Sequence, residues 1–176
     1  VGKNIEIKAR CHDLSKAVET LEKTSIALEA ILQQTDTFYN TPKGRLKLRE
    51  LGTGEAFLIP YLRDDEKGPK ESQYALLPVE KEELQRVKDL LTAMYGIRGV
   101  VKKQRFLYRF SYVRIHLDDV RGLGRFIELE AVMEDETPEQ EAQEKVHYLM
   151  QLLNISDGDL VDTAYIDLLE TEQSTT

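Results

Sequence analysis

One cysteine, three histidines and no tryptophan in a chain of 176 residues remove several kinds of function before any pattern is read. A single thiol, Cys11, cannot close an internal disulfide, and His12, His116 and His147 are scattered without the spacing of a zinc site. Cys11 alternates with Ile5, Ile7 and Ala9, the pattern of a core thiol and not of a nucleophile in an electropositive pocket. No apolar run approaches the about 20 residues that a membrane-crossing helix needs. No signal-peptide pattern opens the sequence, so a reducing cytosol or nucleus is the expected compartment. Positive charge is in deficit as well: 24 Lys and Arg face 32 Asp and Glu, for a net charge of −8. That balance argues against a nucleic-acid or anionic-membrane surface, while leaving room for a basic cluster inside an acidic shell. The length suits one domain with a sizeable core, and no stretch reads as a linker. The predicted domain is 1–170, followed by a frayed tail at 171–176.

What the chain does have is charge at period two. Residues 100–133 split into three apolar-rich runs separated by turn signals, the last of them Asp118-Asp119-Val120-Arg121-Gly122-Leu123-Gly124, and read as consecutive strands. Alternation puts Lys103, Arg105 and Arg109 on one face of the first run, Arg114, His116 and Asp118 on one face of the second, and Glu128 and Glu130 on one face of the third. Val113, Ile115, Leu117, Ile127, Leu129 and Ala131 fill the opposite faces. Charge on one face of a single strand is ordinary in an antiparallel sheet with one side in water. Here the pattern recurs: Asn4, Glu6, Lys8 and Arg10 oppose Ile5, Ile7, Ala9 and Cys11, and Arg45, Lys47 and Arg49 oppose Leu46 and Leu48. Three cations in a row on one strand repel each other, so open water or a bound polyanion must compensate them.

Between these strands the sequence predicts helices. A stripe of Leu14, Ala17, Val18, Leu21, Leu28, Ile31 and Leu32 gives a helix from Asp13 or Ser15, either a plausible cap, to about Leu32. A strand at 36–39, a turn at 40–44 and the strand Arg45–Arg49 form a hairpin. Residues 56–63 give a further strand, in which Pro60 demands an edge or a bulge. A polar loop at 64–71 leads to a short strand at 72–77. Pro78 then opens a helix to Tyr95 with Gly96 as its stop. Thr137-Pro138-Glu139-Gln140 reads as a capping box, with Pro138 at the first position of a helix striped by Ala142, Val146, Leu149, Met150 and Leu153. A last short helix runs from a Ser156 or Asp157 cap to Leu169.

Apolar strand faces need helices against them, and the chain supplies amphipathic ones. With those helices outside a curved antiparallel sheet, the charged faces turn inward around a closed or nearly closed barrel. Burying uncompensated charge costs at least several kcal/mol, so such an interior must hold water, metal or polyphosphate.

Five segments carry a resemblance: 4–8 (NIEIK), 36–39 (DTFY) with 44–49 (GRLKLR), 101–105 (VKKQR), 114–118 (RIHLD) and 122–130 (GLGRFIELE). In this order they are similar to the CYTH family of triphosphate-tunnel proteins, especially its branch related to class IV adenylate cyclases. The resemblance implies an α+β fold: a closed antiparallel eight-stranded β-barrel with the helices packed outside. It implies carboxylates that hold Mg²⁺ or Mn²⁺, carried over to Glu6, Asp118, Glu128 and Glu130. It also implies phosphate-gripping cations, carried over to Lys8, Lys47, Arg49, Lys103, Arg105 and Arg114, with Lys70 beside Gly68-Pro69 as a further one. Lys8, Arg105 and Glu130 are the expected catalytic residues. Arg45, Tyr61, Arg63, Arg109 and His116 share the inferred inner face without a motif role. The sequence departs from the family's opening Glu-x-Glu-x-Lys, for Asn4 stands where the first Glu would be. Its carbonyl can ligate a hard cation but brings no charge.

The function implied is metal-dependent hydrolysis of a terminal phosphate, with tripolyphosphate, ATP or thiamine triphosphate as substrate. The alternatives are cyclisation of ATP to cyclic AMP with release of pyrophosphate, and binding of a polyphosphate or phospho-ligand with little turnover. Neither nucleic acid nor membrane is an expected partner.

Overall fold

The computed structural model describes residues 2–63, 70–133 and 138–174. Its strands are β1 (Gly2–Arg10), β2 (Leu28–Tyr39), β3 (Arg45–Leu51), β4 (Ala56–Arg63), β5 (Lys70–Tyr74), β6 (Leu77–Val79), β7 (Ile97–Phe110), β8 (Val113–Val120) and β9 (Gly124–Met133). The α-helices are α1 (Leu14–Lys23), α2 (Leu84–Tyr95), α3 (Glu139–Leu152) and α4 (Tyr165–Ser174). All strand pairs are antiparallel, in the order β3-β2-β7-β8-β9-β1-β5-β4, and β3 pairs again with β4. Eight strands thus close into a barrel, and β6 flanks β4 as an extra edge.

Closure places the two faces as the alternation requires. Ile5, Ile7, Ala9, Val113, Ile115, Leu117, Ile127, Leu129 and Ala131 form the outer core with Ala17 and Leu21 of α1 and with Ala142, Val146 and Leu149 of α3. Ala9, Ile115, Leu117 and Leu129 are fully buried there. The helices therefore cover the barrel from outside, leaving the charged face to the interior.

Pro60 sits where β4 changes partners. Residues 56–58 pair with β6 and 61–63 with β5, so the missing Pro60 N–H falls in the gap while its carbonyl accepts from Ala75 N at 3.1 Å. In the β2–β3 hairpin Gly44 has φ +69°, and an added Cβ would stand 2.7 Å from Leu62 Cδ2, so only glycine fits.

Four predicted elements differ from the structure. The first helix stops at Lys23 and not near Leu32. Ser25 at φ 58° ends it, with Ile26 N bonding Leu21 O and Ser25 N bonding Glu22 O in a Schellman-type turn. Leu28, Ile31 and Leu32 belong instead to β2, whose length the sequence underestimates. Pro78 does not open α2. It lies in β6, which among the described residues pairs only with β4, and an edge strand tolerates the lost donor. Helix α3 begins one residue later than predicted, at Glu139, with Pro138 extended at the cap position; Thr137 lies outside the described residues. The last helix is two pieces. Ser156 caps a 3₁₀ turn at Asp157–Asp159, and Leu160 then bridges to Ala9 while Val161 N donates to Lys8 O at 2.9 Å. That extended join to the end of β1 separates the turn from α4, which runs to Ser174, past the expected end at Leu169.

Helix α4 closes one end of the barrel. Ala164, Tyr165 and Ile166 pack with Phe38, Val101, Val120, Leu123 and Phe126, from the ends of β2 and β8, the starts of β7 and β9 and the turn between β8 and β9. Gly99 makes the fit possible, since a Cβ there would meet Ile166 Cδ1 at 2.4 Å. A bulge opposite Tyr39 turns Arg98 out of the ladder, and its guanidinium reaches Asp167 at 2.5 Å and Glu170 at 2.8 Å. Arg45 adds a second tie to Asp167 at 3.0 Å. Among the described residues no helix is long and apolar enough to cross a membrane.

Candidate triphosphate-binding lumen

The barrel encloses a lumen of about 300 Å³, lined by Glu6, Lys8, Lys47, Arg49, Lys103, Arg105, Arg114, Glu128 and Glu130 among others. Strand register explains why these side chains meet. Glu6 lies opposite Glu130 and Lys8 opposite Glu128 across β1 and β9. His116 lies opposite Glu128 and Arg114 opposite Glu130 across β8 and β9. Arg105 pairs with Asp118 across β7 and β8, and Arg49 with Asp36 across β2 and β3. Period-two alternation then points each of these groups inward.

Two buried carboxylates organise the cations. Arg105 donates to Asp118 through Nε at 2.7 Å and Nη2 at 2.6 Å, and Nη2 also reaches Glu128 Oε2 at 2.6 Å. Tyr165, from the first turn of α4, donates its hydroxyl to Asp118 at 2.9 Å. Arg49 grips Asp36 in the same bidentate way at 2.7 and 2.6 Å, while Lys47 and Lys103 each stand 3.5 Å from Asp36. Lys8 lies 3.5 Å from Glu128, donates to Thr163 O at 3.1 Å and sits 4.0 Å over the Tyr165 ring. Arg114 stands 3.5 Å from Glu130.

Burial and crowding set the protonation states. Burial alone would raise Asp36, but Arg49, Lys47 and Lys103 hold it well below the usual carboxylate range. The same balance, with Arg105 dominant, lowers Asp118 and Glu128. The lysines shift the other way. Burial and then the neighbouring Arg105 pull Lys103 down to about 7, and burial and then Arg49 pull Lys47 down to about 8. Buried His116 is lowered by its burial and by Arg105, although Glu128 at 3.5 Å and Glu130 at 3.9 Å oppose the shift.

These lysine shifts give a sign for ligand binding. Above pH 7 Lys103 is increasingly neutral, and an anion in the lumen favours its charged form, so binding a polyanion takes up protons. Calorimetric titration of tripolyphosphate at pH 8 in two buffers of different ionisation enthalpy should show net proton uptake, and affinity should fall as pH rises from 7 to 9. Proton release, or no exchange, would contradict the lysine assignment.

The residues singled out in the sequence are thus mostly brought together. Glu6, Lys8, Lys47, Arg49, Lys103, Arg105, Arg114, Glu128 and Glu130 share the lumen, and Asp118 is buried beside it. Lys70 pairs through its backbone with Glu6, and its side chain lies outside the described residues, as does that of Arg63. Tyr61 and His116 line the lumen, and Arg109 lines it while bonding Glu29 at 2.7 Å. Arg45 ties β3 to α4 instead. Sequence reasoning gave no site role to Asp36 or Tyr165. Full alternation along β2 would have found Asp36, whereas Tyr165 arrives from a helix and leaves no strand periodicity.

Whether the carboxylates suit a divalent ion depends on how each is already held. Among the described residues no three His, Cys, Asp or Glu side chains are grouped to hold a metal ion. Asp118 is taken up by Arg105 and Tyr165, so the structure does not bring it into a metal set with Glu6, Glu128 and Glu130. At the Glu6–Glu130 pair an amide stands beside the carboxylates. Asn4, 2% exposed, donates Nδ2 to Glu130 Oε1, and its Oδ1 is buried without a hydrogen-bond partner. Two carboxylates and an orphaned amide oxygen fit a hard ion of the Mg²⁺ type, which takes one or two carboxylates and completes its shell with phosphate oxygens and water.

A family model for the CYTH domain matches residues 2–165. A Methanocaldococcus jannaschii protein named "Putative adenylate cyclase" is 28% identical over 175 residues, covering 93% of this chain and 97% of the relative. The solved structure of PH1012 from Pyrococcus horikoshii superposes with a TM-score of 0.80 at 22% identity, covering 94% of this chain and 98% of that one. A structure of an adenylyl cyclase homologue from Hippeastrum, reported to reveal a dominant triphosphatase activity, gives a TM-score of 0.68 at 12% identity and covers 98% of this chain and 96% of that one.

Proposed function

Because the chain belongs to the CYTH domain family, we propose that its lumen binds a triphosphate and hydrolyses the terminal phosphate. The observation that carries this reading is convergence: six cations from four strands, Lys8, Lys47, Arg49, Lys103, Arg105 and Arg114, line one enclosed space with Glu6, Glu128 and Glu130. Cations set on opposing strands grip successive phosphates and neutralise the charge that builds on their oxygens. Since Arg49, Lys47, Lys103 and Arg105 are held by Asp36 and Asp118 before a ligand arrives, little reorganisation is left for the reaction.

The family is generally dependent on a divalent metal. When bound by Glu6 and Glu130, with Asn4 as a neutral ligand, such an ion would supply charge neutralisation and water activation; Glu128 stays with Arg105 and Lys8. The protein's own contributions are separate. Arg105, Lys103 and Lys8 bind and orient the phosphates at the deep end, and Tyr165 with α4 excludes solvent from below. Arg114 draws the anion in from the open side. Lys8, Arg105 and Glu130 are the groups assigned to the reacting phosphate.

Cyclisation of ATP is the second reading, supported by the name of the Methanocaldococcus relative, while triphosphate hydrolysis is supported by the activity stated for the Hippeastrum protein. The same residues serve both, and the difference lies in which phosphorus faces the nucleophile. Incubation of purified protein with tripolyphosphate, ATP and thiamine triphosphate under Mg²⁺ or Mn²⁺ should release orthophosphate. Cyclic AMP with pyrophosphate would select the cyclase. Saturable binding without product would leave a binding protein.

A further inference from the structure

Along the strands that run away from α4, the lumen changes character. On β2 the inward positions pass from Phe38 and Asp36 to Gln34 and Leu32, and on β7 from Lys103 and Arg105 to Leu107, with Arg109 beyond it bonded to Glu29. Gln34 lies opposite Lys103 and Leu32 opposite Arg105, so this apolar and amide-bearing patch directly adjoins the cation cluster. Gln34 is 5% exposed, it lines the lumen, and its Oε1 is buried without a hydrogen-bond partner. A buried amide oxygen left unpaired is costly, and a site that keeps one is poised for a donor.

Inorganic tripolyphosphate cannot use these groups. It presents oxygen acceptors that would repel Oε1, and it has no apolar surface to set against Leu32 and Leu107. An organic group with an N–H donor and a flat apolar face would satisfy both. We infer that Gln34, Leu32 and Leu107 form a subsite for the organic part of an organic triphosphate, namely a heteroaromatic ring bearing an amine, with the exocyclic amine N–H donated to Gln34 Oε1. This rests on the reading of the lumen as a triphosphate site and names the class of substrate it prefers. Gln34 is a specificity residue and takes no part in phosphate contact.

Calorimetric titration without divalent metal, which prevents turnover, tests this on the wild type and Gln34→Leu, with ATP, thiamine triphosphate and tripolyphosphate as ligands. ATP or thiamine triphosphate should bind the wild type more tightly than tripolyphosphate. Gln34→Leu should weaken that organic ligand roughly tenfold, the scale of one buried hydrogen bond, and leave tripolyphosphate unchanged. Gln34→Met, a second near-isosteric change, should reproduce the result if the leucine variant folds poorly. Tripolyphosphate binding as tightly as both organic ligands, or an equal loss for all three, overturns the subsite while leaving the triphosphate site in place. Failure of all three ligands to bind the wild type overturns both.

Discussion

Arg105→Ala should lose about 3–5 kcal/mol of stability, because it strips the partner from a buried carboxylate. Asp118 is fully inaccessible to solvent, and its two guanidinium bonds are the main favourable terms opposing its burial. Glu128 loses a 2.6 Å contact in the same step. For a domain of this size that is a fall in Tm of roughly 10 °C or more by circular dichroism. Triphosphate binding and turnover should disappear as well. Arg105→Met combined with Asp118→Asn separates the two effects, for with both charges gone much of the stability should return while the ligand still fails to bind. A single Arg105→Ala variant that melts with the wild type would mean that this ion pair is not buried as described.

Asp36→Asn should be nearly as damaging, and in a way that depends on pH. The carboxylate faces Arg49, Lys47 and Lys103 together, and the amide leaves three close cations without their counterion. A loss of about 3–5 kcal/mol is expected at neutral pH. The sign follows from the direction of the shift: the folded protein holds Asp36 below its unfolded value, so its contribution is complete above about pH 4 and fades below it. Denaturation curves of wild type and variant should therefore differ most at neutral pH and converge in acid. The loss of Asp36 also removes a group that supports the charged forms of Lys103 and Lys47, so polyanion binding by the variant should weaken at lower pH than in the wild type. A stability difference that stays constant down to pH 2 would place Asp36 outside the cation cluster.

Much of this arrangement was legible because strand alternation is strict where both faces are chemically distinct. In β1, β3, β8 and β9 most inward positions named from sequence do line the lumen, Arg10, Arg45 and Asp118 apart, since apolar partners such as Ile5, Leu48, Ile115 and Leu129 fix the parity. β2 was harder to read. Ile31 points out into solvent and Leu32 into the lumen, so neither face of its first half is uniformly apolar, and the spacing of Leu28, Ile31 and Leu32 imitates a helix. That misreading hid the run Leu32, Gln34, Asp36, Phe38 that carries the carboxylate hub and one wall of the lumen. Asp118 shows a different limit. Parity puts it with the acids, but only the cross-strand register reveals that it faces Arg105, and only the return of the chain through α4 supplies the Tyr165 hydroxyl.

The Tyr165 end of the barrel has a bearing on the length of chain that can be processed. A cul-de-sac cannot be threaded: whatever goes in must back out by the same opening. If the lumen works as proposed, only the leading end of a linear polyphosphate would reach Lys8 and Arg105, internal linkages would stay beyond reach, and every round of cleavage would demand full withdrawal of the product before the next could start. Such a geometry would trim one terminus at a time and favour short guests over polymers.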